Sequence, residues 1–206
     1  MKKTIISMAL MATVAASSAF AVEPSKYATE APSKKERHTP QGLYITAENT
    51  YKWMQEANTK DEPNNVILVD VRTPAEWQFV GHTHMAQIMI PSVFFKYNAV
   101  DNKKPRYASA LNNDFISEFE MKLDELGADA DTPVVLMCRS GATRAQPAAK
   151  MLAQYGYENV YIMTDGFEGG KTKTGEHKGF RLNSGWKVNG HPWTYKVDTA
   201  NAYVEK

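Results

Sequence analysis

The chain carries a single cysteine, Cys138, so no internal disulfide can form and a cysteine-stapled scaffold is excluded. Long apolar runs are equally scarce. The only one stretches from Thr4 to about Val14, too short to span a bilayer as a permanent helix. It follows Lys2 and Lys3 and runs through Ala15-Ala16-Ser17-Ser18 into Ala19-Phe20-Ala21, an A-x-A cleavage pattern. That order predicts a signal peptide over 1–21, removed after Ala21, and a soluble periplasmic product with no membrane anchor after cleavage. There is no excess of either charge: 24 Lys and Arg stand against 23 Asp and Glu. Loss of Lys2 and Lys3 moves the formal charge from +1 to −1, which gives no electrostatic footprint for nucleic acid. Repeats, low-complexity tracts and clusters with metal-ligand spacing are also missing, so neither a metal nor an organic cofactor is expected. His82 and His84 lie two apart without a third ligand and read as turn histidines.

After cleavage 185 residues remain, enough for one domain with a core, and the 43% hydrophobic content suits a globular fold. In an oxidising compartment a lone thiol needs a function or a partner chain. Cys138 follows the apolar run Pro133-Val134-Val135-Leu136-Met137 and opens Cys138-Arg139-Ser140-Gly141-Ala142-Thr143-Arg144, before an alanine-rich helix. Free N–H groups and the dipole at a helix start favour an anion, and with two arginines they favour the thiolate, the nucleophilic form of cysteine. The segment reads as a nucleophilic, anion-binding loop.

Residues 22–41 are polar and hold Pro24, Pro32 and Pro40, as in a flexible leader. The domain is expected over 42–198, with order beginning near Leu43-Tyr44-Ile45 and Thr46 capping a helix that carries Tyr51 and Met54. Val66 to Val71 reads as a strand covered on both faces. Thr73-Pro74-Ala75-Glu76 is a capping box with proline at the first helical position, and its helix ends at Gly81. Gln87–Ile90 is a short strand, residues 92–112 a polar insertion, and Asn113 the cap of a helix with Phe115, Ile116, Phe119, Leu123 and Leu126 on one stripe. Ala148, Met151, Leu152 and Tyr155 line the helix after Cys138, and Asn159–Met163 is a further strand. Residues 169–190 read as a long surface loop, its lysines solvated, before a tail with Trp186 and Trp193 that packs back. Alternating strands and helices predict an α/β domain, a parallel sheet flanked by helices on both faces. Asp70-Val71-Arg72 and Cys138 fall at carboxyl ends of strands and can share one crevice.

Asp70-Val71-Arg72-Thr73-Pro74-Ala75-Glu76-Trp77, Gly81-His82 and Ile90-Pro91 resemble the first half of a rhodanese domain. Cys138-Arg139-Ser140-Gly141 resembles its active-site loop, and Val160-Tyr161-Ile162 with Asp165-Gly166-Phe167 its closing strand. The resemblance covers roughly residues 42–170. It implies a single rhodanese-like domain, a sulfurtransferase taking sulfane sulfur from thiosulfate or a similar small anionic donor, and a persulfide on Cys138 as intermediate. A thiol or a cyanide-like acceptor, or a protein acceptor, would take the sulfur.

The expected catalytic residue is Cys138. Arg139, Ser140, Gly141, Ala142, Thr143 and Arg144 are expected to bind substrate, and Asp70 and Arg72 to support the site, more as an ion pair with neighbours such as Glu76 than as reacting groups. Two counts of the loop stay open. Closing at Thr143 gives the six residues usual in the family, and Thr there resembles thiosulfate sulfurtransferases. Closing at Arg144 gives Cys-x5-Arg, the spacing of cysteine phosphatases and of rhodanese-related phosphatases and arsenate reductases. Ala145, where many such phosphatases carry Ser or Thr, and Met137 rather than His weigh against that chemistry. A third reading is a persulfide carrier that turns over slowly alone.

Overall fold

The computed structural model describes residues 24–199 and 202–204; the expected signal peptide lies outside the described residues. A sheet in the order β1-β7-β6-β2-β3 is formed by β1 (Leu43–Ile45), β2 (Ile67–Asp70), β3 (Ile88–Met89), β6 (Val134–Met137) and β7 (Val160–Met163). Every pairing in it is parallel. Four helices connect these strands: α1 (Ala47–Ala57), α2 (Pro74–Val80), α3 (Phe115–Glu125) and α4 (Ala145–Gln154).

The strands are buried on both faces, and their side chains alternate between two cores. Val69 and Val71, Leu136 and Cys138, and Val160 and Ile162 face Phe115 and Phe119 of α3 and Ala148 and Leu152 of α4. Leu68, Val135, Met137, Tyr161 and Met163 face Met54 of α1, Phe167 and Trp186. The expected helices on both sides are therefore present. β2 and β6 lie side by side, yet β2 leads outward to β3 and β6 leads the other way to β7. The crevice at this reversal is where an α/β sheet places its ligand. The amide of Val71 donates to Met137 O at 2.9 Å, so the chain leaving β2 and the chain leaving β6 emerge side by side.

Local signals are realised closely. The Thr46 hydroxyl accepts from the Asn49 amide, and the Thr73–Glu76 capping box opens α2 behind Pro74. Three readings change. The polar insertion is an antiparallel hairpin, β4 (Val93–Val100) with β5 (Tyr107–Leu111), a separate two-stranded sheet. Asp114 rather than Asn113 precedes α3, and the Asn112 side chain takes the Asp114 amide. The leader's described part makes defined contacts: Tyr27 stacks on Trp53, and the amide of Ser25 donates to the Tyr161 hydroxyl at 2.9 Å. Tyr27 gives this stretch a place to dock that its proline content did not suggest.

The tail packs back as expected. His82 and Thr194 exchange backbone hydrogen bonds at 2.9 and 2.8 Å, and Trp186 is fully buried with its indole N–H on Pro192 O. No helix among the described residues is long and apolar enough to cross a membrane.

Candidate active site

β6 ends at Met137 and α4 begins at Ala145, so Cys138 to Arg144 form a seven-residue loop with Arg144 at the helix cap. Cys138 is 1% exposed and continues the inward alternation of Val134 and Leu136, so the strand directs the thiol to the side of the sheet that α4 covers. Among the described residues, no amide from Arg139 to Arg144 donates a hydrogen bond to the protein. Six successive N–H groups are thus left for an anion, at the start of a ten-residue helix with no acid in its first turn.

The turn after β7 holds the loop from below. The amides of Phe167 and Glu168 donate to Cys138 O and Arg139 O, both at 2.9 Å. Gly166 has φ +62°, and a Cβ there would run into the backbone of Cys138, Arg139 and Ser140. Gly141 meets the backbone of Met163 and Thr164 in the same way, at φ +64°. Both glycines are needed because backbone lies against backbone.

Each arginine near Cys138 has its own arrangement. Asp70 and Arg72 are fully buried and paired with each other through Arg72 Nε at 2.9 Å and Nη2 at 2.6 Å, rather than with Glu76. Arg72 also donates to Gly81 O and lies 3.9 Å over the Phe167 ring, which places it behind the turn that carries the loop. Arg144 makes a two-pronged ion pair with Glu76, 68 residues away, with only 10% of its side chain exposed. Burial works to raise the Glu76 carboxyl, but the hydrogen bonds and charge of Arg144, helped by Arg72 and the Thr73 amide, bring it down to about 2. Burial likewise opposes the Arg144 charge, and Glu76 more than offsets it, with a smaller contribution from Cys138. Arg139 is 44% exposed and pairs with Glu168 at 2.5 Å. Thr143 is exposed, while Ser140 and Ala142 are half-buried in the loop.

Sequence reasoning missed two site residues. In the sequence Glu76 reads as a cap; the capping box that places it is local, whereas its partner Arg144 lies on another element. Arg181, from the loop of residues 169–190, reaches the same neighbourhood and interacts electrostatically with Arg139, Glu168, Cys138 and Arg144. No local signal marks it. Of the two turn histidines, His82 is buried against the tail and His84 is exposed.

This arrangement can hold an anion beside a thiol at the switch point of a parallel sheet. An uncharacterized Rickettsia prowazekii protein, RP600, is 34% identical over 132 residues, covering 64% of this chain and 85% of its own length. The thiosulfate sulfurtransferase GlpE of Haemophilus influenzae is 38% identical over 65 residues, 32% of this chain and 56% of its own. The crystal structure of Rv0390 from M. tuberculosis superposes with a TM-score of 0.50 at 26% identity, covering 74% of this chain and 96% of that one. The family model for the rhodanese-like domain matches residues 50–173, more than half of the chain, and the chain therefore belongs to the rhodanese-like family.

Proposed function

We propose that the protein is a sulfurtransferase that carries sulfane sulfur on Cys138, working in the periplasm after export through residues 1–21. The observation that supports this most is the run of six amides without a protein acceptor, Arg139 to Arg144, that follows the thiol at the end of β6. In the first half-reaction the Cys138 thiolate attacks the outer sulfur of thiosulfate. A bond forms between the two sulfurs, the donor's own sulfur–sulfur bond breaks, and its electron pair leaves with sulfite. The amides hold the persulfide anion, and a thiophilic acceptor then takes the outer sulfur and returns the thiolate. This is double displacement with electrostatic stabilisation by positioned donors, and it needs no metal or cofactor.

Arg144 supports the loop through Glu76 rather than by meeting the substrate. Its guanidinium fork is occupied by that carboxylate, which ties α2 to the start of α4. Asp70 and Arg72 act one layer further back, through Phe167.

The seven-residue length of the loop favours a second reading, oxyanion chemistry of the phosphatase or arsenate reductase kind. The engagement of Arg144 by Glu76 and the presence of Ala145 weigh against it. A thiocyanate assay with thiosulfate and cyanide, run beside an aryl phosphate assay, separates the two. Thiocyanate turnover that disappears in Cys138→Ser supports sulfur transfer. Phosphate release without sulfur uptake overturns it, and sulfur uptake without turnover identifies a carrier.

A further inference from the structure

Arg139 and Arg144 of the loop and Arg181 of residues 169–190 share one neighbourhood with Cys138, and the first two are already neutralised. Arg139 is paired with Glu168 and Arg144 with Glu76. Arg181 has no carboxylate partner among the described residues: Nη1 donates to Gly169 O, and Nε is buried with no acceptor. Its surroundings raise the tension. Burial and then the charge of Arg139 press its pKa down, Glu168 and Cys138 pull it up, and Arg144 pushes it down again. A half-buried guanidinium with an unfilled donor, beside other cations, is a place where an anion relieves an imbalance.

The chain around it holds that position. Residues 170–183 leave and return through Gly169 and Ser184, which touch backbone to backbone. The amides of Trp186 and Lys187 then donate to Gly166 O and Phe167 O, the same turn whose other amides carry Cys138 and Arg139. Within the excursion, the amides of Thr172 and Gly179 pair with Phe180 O and Thr172 O at 2.7 and 2.9 Å. Lys171, Lys173, Lys178 and Arg181 stand against one acid, Glu176. The excursion is thus a cationic flap rooted on the turn that holds the nucleophile's loop, with Arg181 bonded to its root at Gly169 O.

We infer that Arg181 is a specificity-determining residue of the site, receiving the oxyanion end of a dianionic donor while its outer sulfur meets Cys138. The identity of the donor rests on the sulfur-transfer reading; the anion subsite does not. With thiosulfate, Arg181 would hold the sulfonate oxygens that depart as sulfite, and the loop amides would keep the persulfide sulfur. Charge at the donor's far end is then recognised by the flap, and the transferred sulfur by the loop.

The test uses the full mature chain and two readouts. The first is protection of Cys138 from iodoacetamide by inorganic sulfate, which needs no turnover. Wild type is expected to be protected, Arg181→Gln to need tenfold to a hundredfold more sulfate, and Arg181→Lys to fall between, since a charge-assisted hydrogen bond is at stake. Lys178→Gln removes the same charge elsewhere on the flap and is expected to behave as wild type. Unprotected wild type, full protection in Arg181→Gln, or equal loss in Lys178→Gln each overturns the inference, as does a shift in the alkylation pH profile with protection unchanged. Arg181→Lys keeps a cation near Gly169 O and serves if the glutamine variant fails to fold. The second readout is steady-state kinetics: Arg181→Gln is expected to raise KM for thiosulfate at least about tenfold, with discharge of preformed persulfide by cyanide within about twofold. Sulfur uptake with unchanged KM sinks the subsite and leaves the sulfur reading standing. Arg181-dependent sulfate protection without sulfur uptake does the opposite.

Discussion

Replacing Glu76 by Gln isolates the contact between α2 and the start of α4. In the native protein the carboxylate and Arg144 are nearly buried together, with side-chain exposures of 12% and 10%. The variant leaves a buried guanidinium with a neutral partner. Removing one member of such a pair costs about 3–5 kcal/mol. The proton linkage gives an independent figure. A carboxyl held at about 2 in the fold, against 4.5 as its ordinary value, contributes about 3 kcal/mol at neutral pH. Because the folded value is the lower one, this stability is complete above 4.5 and is lost as pH falls towards 2. Roughly half of it, about 1.5 kcal/mol, remains at pH 3. Urea unfolding of wild type and variant at pH 7 and pH 3 measures both numbers. The difference between them is expected to be about 3 kcal/mol at pH 7 and to halve at pH 3. A difference below about 1 kcal/mol, the same at both pH values, would refute the reasoning.

Other consequences can be checked in the same way. Gly166→Ala places a Cβ against the backbone of Cys138 to Ser140 at a positive φ, so a stability loss of about 2 kcal/mol or more, with reduced sulfur uptake, is expected in unfolding and mass measurements. Trp186→Ala empties a fully buried site between Phe167 and α1 and should cost about 3–5 kcal/mol in urea unfolding. His82 is buried, and burial pushes its pKa below the ordinary 6.5. The unfolded chain then binds more protons as pH drops below that value, so stability falls there; His82→Gln should flatten the stability–pH curve between pH 7 and pH 5, and an unaltered slope would contradict this.

The features legible in the sequence were those with a local physical cause. The run Val66–Val71 reads as a strand because both of its faces are buried, and Thr73-Pro74-Ala75-Glu76 as a helix start because its caps are covalently close. Cys138 could be placed at a strand end for the same reason. The hairpin β4–β5 escaped because its residues face solvent along most of their length and none of them is fully buried in a core. Glu76 and Arg144, 68 residues apart, are joined only by the sheet order that sets β2 beside β6. Arg181 was hidden among lysines in a segment with no periodicity. Its position depends on Gly169 and Gly185 letting two backbones meet. In the structure α4 takes Ala145 and leaves Arg144 at its cap, a boundary set by the Glu76 contact as well as by local sequence.

The central claim is that sulfur rides on Cys138. The most direct measurement treats the mature protein with thiosulfate, alkylates it, digests it and weighs the peptide containing Cys138. One extra sulfur on that cysteine, removed by cyanide before alkylation, is the predicted result. A Cys138 peptide that stays unmodified at saturating thiosulfate would contradict it.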